Sequence, residues 1–255
     1  MFPYRDENPT LRTPIVTILL ITVNVLVWAV VQGAGMDPAL SRSICELGAV
    51  PANLTGQVDR TTVVELAPGV VCVLGHAPDW TTVLTSMFMH GGWMHLVGNM
   101  WFLWVFGNNV EDSMGRLRFV AFYLLCGVAA SVTHVLVDTD STIPMVGASG
   151  AIGGVMGAYI VLYPRVRVHM LVFLGIIFFT VSVPAYFMLG YWIVLQVLGA
   201  LPQVANEAAG VAFWAHIGGF AAGVVLIRLF ANRELVELHR HATGYGEMSS
   251  PRRDR

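Results

Sequence analysis

The chain has 255 residues, of which 56% are hydrophobic and only 12% charged, and its formal net charge is −2. Soluble domains carry about a quarter charged residues, so this balance indicates a protein that lies in lipid. The chain has no basic cluster interleaved with aromatic residues, so nucleic acid is excluded as an expected partner.

Six apolar runs approach the length of a membrane crossing, which needs roughly 20 residues with few charges. They cover residues 14–33, 92–107, 119–137, 147–163, 183–199 and 211–230. We therefore predict an all-α fold, a polytopic membrane protein with a six-transmembrane-helix bundle over residues 13–231. Residues 1–12 form a short N-terminus and residues 232–255 a polar, flexible tail. The first run is longer than a signal-peptide core and more runs follow, so we interpret it as a retained helix.

The arginines predict the orientation, because positive residues favour the cytoplasmic side and the chain has no lysine. With a cytoplasmic N-terminus, only Arg42 and Arg60 lie outside. The outer loops that hold Asp138, Asp140 and Glu207 carry no arginine. Both termini are then cytoplasmic, and the expected location is the plasma membrane of a bacterium.

One further apolar stretch, residues 168–181, is too short for a crossing, and Pro184 interrupts its continuation. We expect it to be interfacial or re-entrant. If it crossed the membrane, the last helix would run in the opposite direction.

The long outer loop of residues 35–90 is too long to be structureless, so we expect it to pack on the membrane surface or on the bundle. Cys45 and Cys72 lie in this loop on the oxidising side. They form either a disulfide or two free thiols. Cys126 lies inside the third run and is interpreted as a small packing residue.

Four polar residues stand out inside predicted membrane helices, where a strongly polar group costs roughly 2.5–3.5 kcal/mol on insertion scales. They are His95, Asn99, Ser149 and His216. The second, fourth and sixth helices run from outside to inside in this topology, so all four residues lie at similar depth.

His95 and Asn99 are four residues apart and share one helix face. They could stabilise an anionic oxygen, or they could only hydrogen-bond between helices. His90 is five residues before His95, about 140° around a helix, so we expect it to point elsewhere and to anchor the loop.

The surroundings of Ser149 and His216 favour close contact between the fourth and sixth helices. Small residues recur at spacings of four on both helices, at Gly150 and Gly154, Gly153 and Gly157, and Gly219 and Gly223. Such contact brings the Ser149 hydroxyl within reach of His216, the base that a serine nucleophile needs. A serine that only caps its helix is the other interpretation. No Asp or Glu lies in a spanning segment, so the predicted arrangement is a dyad.

Three strings resemble the rhomboid family of intramembrane serine proteases, and the resemblance covers about residues 12–231. The strings are HGGWMHLVGN from His90 to Asn99, GASG from Gly147 to Gly150, and AHIGG from Ala215 to Gly219. The resemblance implies a six-helix enzyme in the lipid bilayer that cuts transmembrane protein substrates in or near their membrane segments. It implies no metal and no cofactor.

The resemblance also implies a role for each site residue. Ser149 attacks the scissile carbonyl while His216 takes its proton. Asn99, His95 and the Ser149 backbone N–H hold the oxyanion. The glycines that pack the helices at the site are Gly147, Gly150, Gly154, Gly219 and Gly223.

The sequence departs from the family pattern in three places. Gly153 stands where the family usually has an aromatic residue stacked on the catalytic histidine, so other packing must orient His216. Trp80 is followed by Thr81 where an arginine is often found, and Ser86 replaces a histidine of some relatives. The last two differences concern anchoring of the outer loop.

Two other functions compete with a protease. One is a rhomboid-like protein that binds membrane clients without cutting them, which Gly153 favours and the presence of both Ser149 and His216 disfavours. The other is an unrelated transporter or channel, for which internal repeats or charges along a pore are expected. The sequence shows neither feature.

Overall fold

The computed structural model describes residues 2–59, 62–67, 70–75, 77–175, 177–201 and 211–243. Arg60, Glu207 and residues 244–255, which enter the predicted topology and tail, lie outside the described residues. The described part of the chain is mostly helical, as expected.

Six helices coincide with the six apolar runs. They are α1 (Ile15–Val30), α5 (Trp93–Met114), α6 (Arg116–Val137), α7 (Ser149–Leu162), α8 (Ala185–Gly199) and α9 (Phe213–Phe230). By length and composition, α6 and α9 can cross a membrane, and α1, α7 and α8 are shorter apolar helices. Four further described helices are α2 (Ala39–Leu47), α3 (Pro51–Leu54), α4 (Thr82–Thr85) and α10 (Arg233–Thr243).

Helix α7 lies at the centre of the bundle. Every residue from Gly150 to Tyr159 is buried, and α5, α6, α8 and α9 all contact the helix. The outward sides of the other helices expose large apolar side chains: Phe187, Val225 and Leu229 are 58%, 63% and 76% exposed. An apolar exterior of this kind suits a lipid environment.

Two small sheets correct the expectation of an all-α fold. β4 (Arg167–Leu174) pairs antiparallel with both β1 (Phe2–Asp6) and β5 (Ile177–Pro184), while β2 (Val63–Ala67) pairs with β3 (Val70–Val73). Residues 168–181 are rich in β-branched and aromatic residues, which favour strands. They form a hairpin in which Arg167 lies opposite Pro184, so α8 begins where α7 ends. The stretch therefore returns to the end of α7, which agrees with an interfacial or re-entrant segment and not with a single crossing.

The outer loop is ordered by secondary structure and by a disulfide. Helices α2, α3 and α4 and the β2–β3 hairpin all fall within residues 35–90. Cys45 of α2 is bonded to Cys72 of β3, with their Cα atoms 5.6 Å apart. Of the two alternatives for this pair, the structure thus shows the disulfide. Cys126 is a buried free thiol, as expected of a packing residue.

The tail is helical at its start, which corrects the expectation of a flexible segment from residue 232. Helix α10 packs on α5 with one face, where Leu235 and Val236 are half-buried and His239 is buried. The His239 ring donates from Nε2 to the Pro9 carbonyl oxygen at 3.1 Å. An amphipathic helix with one face against the bundle explains the order.

The C-terminal end of α5 holds the N-terminal segment through two carboxylates. Glu111 accepts the backbone N–H groups of Val16 and Thr17 at 3.0 and 2.8 Å. These are first-turn N–H groups of α1 that lack partners within their own helix. Asp112 accepts the Leu11 N–H at 2.7 Å and pairs with the Arg12 guanidinium at 2.8 Å. Both carboxylates thus find their hydrogen-bond partners within the chain.

Candidate active site

Ser149 and His216 meet at the start of two neighbouring helices. Ser149 is the first residue of α7 and His216 lies in the first turn of α9. The Ser149 Oγ and the His216 Nε2 are 2.7 Å apart, a hydrogen-bonding distance. The contact predicted from the sequence is therefore present.

Direct backbone contact between α7 and α9 fixes this pair. A Cβ atom on Gly219 would lie 1.9 Å from the Gly150 carbonyl oxygen, and one on Gly223 would lie 2.0 Å from the Gly154 oxygen. Real Cβ atoms do not approach oxygen so closely, so only glycine fits at these positions. We call the contact of these four residues the glycine seam. It holds the two helix starts in register.

Gly147 forms a turn in the loop just before Ser149 and α7. Its φ is +126°, a backbone conformation that L side chains rarely adopt, and a Cβ there would lie 2.7 Å from the His95 Nε2. Its N–H donates to the Ser86 carbonyl oxygen at 2.9 Å. The loop at Ser86 is thus anchored through backbone atoms.

His95 and Asn99 line the same cavity as Ser149 and His216, a space of about 310 Å³. The His95 Nδ1 accepts the Gly91 N–H at 3.3 Å, so a neutral His95 ring carries its hydrogen on Nε2. Asn99 is 7% exposed, and its Nδ2 has no hydrogen-bond partner among the described residues. Both side chains therefore present donors to the cavity.

The backbone of Ser149 adds a third donor. The first N–H groups of a helix have no partner within the helix, and the first backbone bond at this end of α7 joins the Ile152 N–H to the Ala148 oxygen at 3.0 Å. The helix dipole also favours negative charge at this end. The donors surround the serine in a way that suits an oxyanion.

Gln196 and Trp192 of α8 contact His216 and are absent from the predicted site. The His216 Nδ1 and the Gln196 Oε1 are 2.7 Å apart. The rings of Trp192 and His216 lie 5.8 Å apart at 39°. Gln196 could have been found from the sequence, since it is a polar residue inside an apolar run like the four residues that were singled out.

The space beside Gly153 is narrow. A Cβ on Gly153 would lie 3.1 Å from the His216 carbonyl oxygen and 3.7 Å from the Trp192 Cη2. The aromatic contact with His216 comes from α8 instead of α7.

His90 lies beside the site, contrary to the prediction that it points elsewhere. Its ring is 5.2 Å from the His95 ring. Helix α5 begins only at Trp93, so helical geometry does not relate the two histidines. Gln32 bonds both the N–H and the carbonyl of His90 at 2.8 Å, so His90 also joins the end of α1 to the loop, as expected of an anchor.

Comparison with known proteins identifies the family. A family model described as the Rhomboid domain matches residues 77–233, more than half of the chain. The chain belongs to the rhomboid family. The resemblance of the three strings is thereby confirmed at the level of the family. The rhomboid family is membrane-embedded, so this rhomboid is a membrane protein.

Several named relatives match this rhomboid. RHOMBOID-like protein 6, mitochondrial, of Arabidopsis thaliana is 31% identical over 188 residues, covering 67% of this chain and 53% of the relative. Rhomboid protein 1, mitochondrial, of Saccharomyces cerevisiae is 30% identical over 155 residues, covering 56% and 40%. The Rhomboid protease GluP of Bacillus subtilis is 39% identical over 80 residues, covering 31% and 15%. The chain thus spans about half or less of the length of these relatives.

Proposed function

We propose that this rhomboid is an intramembrane serine endopeptidase that hydrolyses peptide bonds in or near the transmembrane segments of other membrane proteins. The 2.7 Å contact between the Ser149 Oγ and the His216 Nε2 carries the proposal. Membership of a family that includes a relative named as a protease supports it.

In the proposed reaction Ser149 is the nucleophile and His216 the general base. His216 takes the hydroxyl proton as the Ser149 oxygen attacks the scissile carbonyl, and then gives that proton to the leaving amine. Water hydrolyses the acyl-enzyme with His216 again as base. No metal or cofactor takes part.

The proposed oxyanion hole consists of the Asn99 Nδ2, the His95 Nε2 and the Ser149 N–H. Asn99 and His95 line the cavity beside Ser149, and the Asn99 donor has no other partner among the described residues. Preorganised donors stabilise the charge that develops in the transition state, and they need not reorient during the reaction.

The proposed topology has six crossings with both termini on one side. Helices α5, α7 and α9 carry the four site residues near their starts, which supports a site in the outer part of the membrane if these helices run from outside to inside. The arginine distribution supports this orientation. The proposal keeps an integral, multi-pass membrane location. The mitochondrial relatives weaken the expectation of a bacterial plasma membrane.

The test compares cleavage of a single-span substrate by wild type, Ser149→Ala and His216→Ala in detergent and in liposomes. We expect both variants to lose activity by at least about a thousandfold. A fluorophosphonate should label wild type at Ser149. Ser131→Ala, which removes a buried serine of α6, is the matched control and should cut like wild type. An inert, unlabelled wild type would instead favour the binding of membrane clients without cleavage.

A further inference from the structure

The side of His216 that faces away from Ser149 is held by α8. The His216 Nδ1 is 2.7 Å from the Gln196 Oε1, and Gln196 is 8% exposed. Gln196 does not line the cavity that contains Ser149 and Asn99. It therefore acts on the reaction only through His216.

The hydrogen bonds of Gln196 determine which of its atoms faces the histidine. Its Nε2 donates to the Trp192 carbonyl oxygen at 3.2 Å, which leaves the Oε1 as the atom nearest His216. An amide oxygen only accepts, so a neutral His216 ring donates its Nδ1–H to Gln196. The lone pair of the ring then lies on Nε2, towards the Ser149 hydroxyl. That tautomer is the one a general base requires.

Trp192 acts on the same ring from one helical turn earlier. Its ring lies 5.8 Å from the His216 ring and 6.1 Å from the Phe220 ring. The imidazole is thus bordered by Ser149 on one nitrogen, by Gln196 on the other, and by Trp192 beside the ring. With glycine at position 153, these α8 side chains supply the ring contact and the acceptor.

We propose that Gln196 is the positioning residue of the Ser149–His216 pair. Its amide oxygen accepts the His216 Nδ1–H and holds the tautomer and orientation of the imidazole from α8. The inference rests on the proposed function. A neutral amide holds the ring without adding a buried charge beside His216, and a buried charge is costly.

The main test compares Gln196→Met with wild type. Methionine has similar length but no amide oxygen, so the Nδ1–H loses its acceptor. We expect kcat to fall about tenfold to a hundredfold, as for a buried hydrogen bond left unmade, while KM stays within about twofold. Gln196→Glu keeps an acceptor oxygen at the same length and should restore most of kcat. Val197→Met, on the half-exposed neighbouring position, is the matched control and should match wild type.

A purely structural role of Gln196 would not change the pH dependence of the rate. The pH–rate profile of Gln196→Glu therefore tests the positioning role. A carboxylate at position 196 favours the imidazolium of His216, so the acid limb of the profile should move to higher pH. Among the described residues, the other titratable groups that face His216 are His95 on α5 and His134 on α6, and both are unchanged in this variant.

The outcomes separate this inference from the proposed function. If wild type cuts and Ser149→Ala does not, while Gln196→Met keeps the wild-type kcat, the positioning role is wrong and the protease stands. If wild type itself is inert and unlabelled, the proposed function fails. Should Gln196→Met melt before assay, an unmoved acid limb in Gln196→Glu overturns the inference instead.

Discussion

The polar residues at the two ends of α5 differ in whether they have hydrogen-bond partners within the chain. At its start, His95 and Asn99 present donors to a cavity, and the Asn99 Nδ2 has no partner among the described residues. At its end, Glu111 and Asp112 accept hydrogen bonds from the segment at the beginning of α1. In the sequence His95 and Asn99 lie inside the second apolar run, whereas Glu111 and Asp112 follow its end.

The difference shows how a structural polar group is told from a functional one. A buried polar group without a partner costs about 1–3 kcal/mol, so an open donor that lines a cavity is a candidate to bind a ligand or a transition state. The carboxylates at the end of α5 have found their partners within the chain. The donors at its start are free to bind something else.

The largest effect expected from this comparison comes from paired asparagine substitutions on α5. Asn99→Ala should lower kcat about 10²–10³-fold, as for loss of one oxyanion-hole donor, with little change in melting temperature. Asn109→Ala removes a 2.9 Å bond to Asp6 at the other end and should keep kcat. Cleavage kinetics and thermal melting in detergent measure both. Equal losses of kcat in the two variants would contradict the distinction.

A smaller effect, on stability, is expected from Glu111→Ala. The variant leaves the Val16 and Thr17 N–H groups without their acceptor, which should lower the free energy of unfolding by about 1–3 kcal/mol. The kcat per labelled serine should stay that of wild type. Glu111→Gln, which keeps one accepting oxygen, should fall between the two. A loss of kcat without a loss of stability would show that this end of α5 also serves the reaction.

The smallest effect is local and depends on pH. Burial raises the pKa of Asp6 to about 6, although a hydrogen bond from Tyr159 opposes the shift. Because the folded pKa lies above the ordinary value of 3.8, the protonated carboxyl favours docking of β1. This stabilisation is full below about pH 4 and is lost as the pH rises through 6.

Amide hydrogen exchange in β1 measures this dependence. After correction for the intrinsic rate, exchange should speed up by at most about a hundredfold between pH 4 and 7, as a shift of about two units allows. Asp6→Asn should make the corrected exchange independent of pH. A pH dependence that survives in Asp6→Asn would assign it to another group.

The parts of the molecule that could be predicted from the sequence are those with local signals. Apolar length locates α1 and α5–α9, and glycines four apart predict the seam that joins Ser149 to His216. The pairing of β1 with β4 has no such signal, because it joins strands far apart in the chain. The predicted direction of the His90 side chain is wrong because helical spacing relates it to His95 only within one helix. Helix α5 begins after His90, at Trp93.

Within the site, Gln196 is the residue whose contact could not be predicted from the sequence. Its position inside an apolar run indicates a buried polar group, but the run does not say which neighbour it meets. That neighbour is on α9, and the packing of α8 against α9 decides the contact. The proposed nucleophile and base follow from local patterns, whereas the contact of Gln196 with His216 follows from the tertiary structure.

The glycine seam lies beside the cavity and not in its lining, so a support that cannot vary adjoins a lining that can. Because Gly150 and Gly154 leave no room for even one methyl group on Gly219 or Gly223, an inherited change there would disturb Ser149 and His216 together. Under the proposed function, new cleavage preferences must therefore arise in the lining of the cavity. A library intended to redirect this rhomboid to another substrate should keep the seam fixed and vary cavity residues outside it: Met94, Phe102 and Val211.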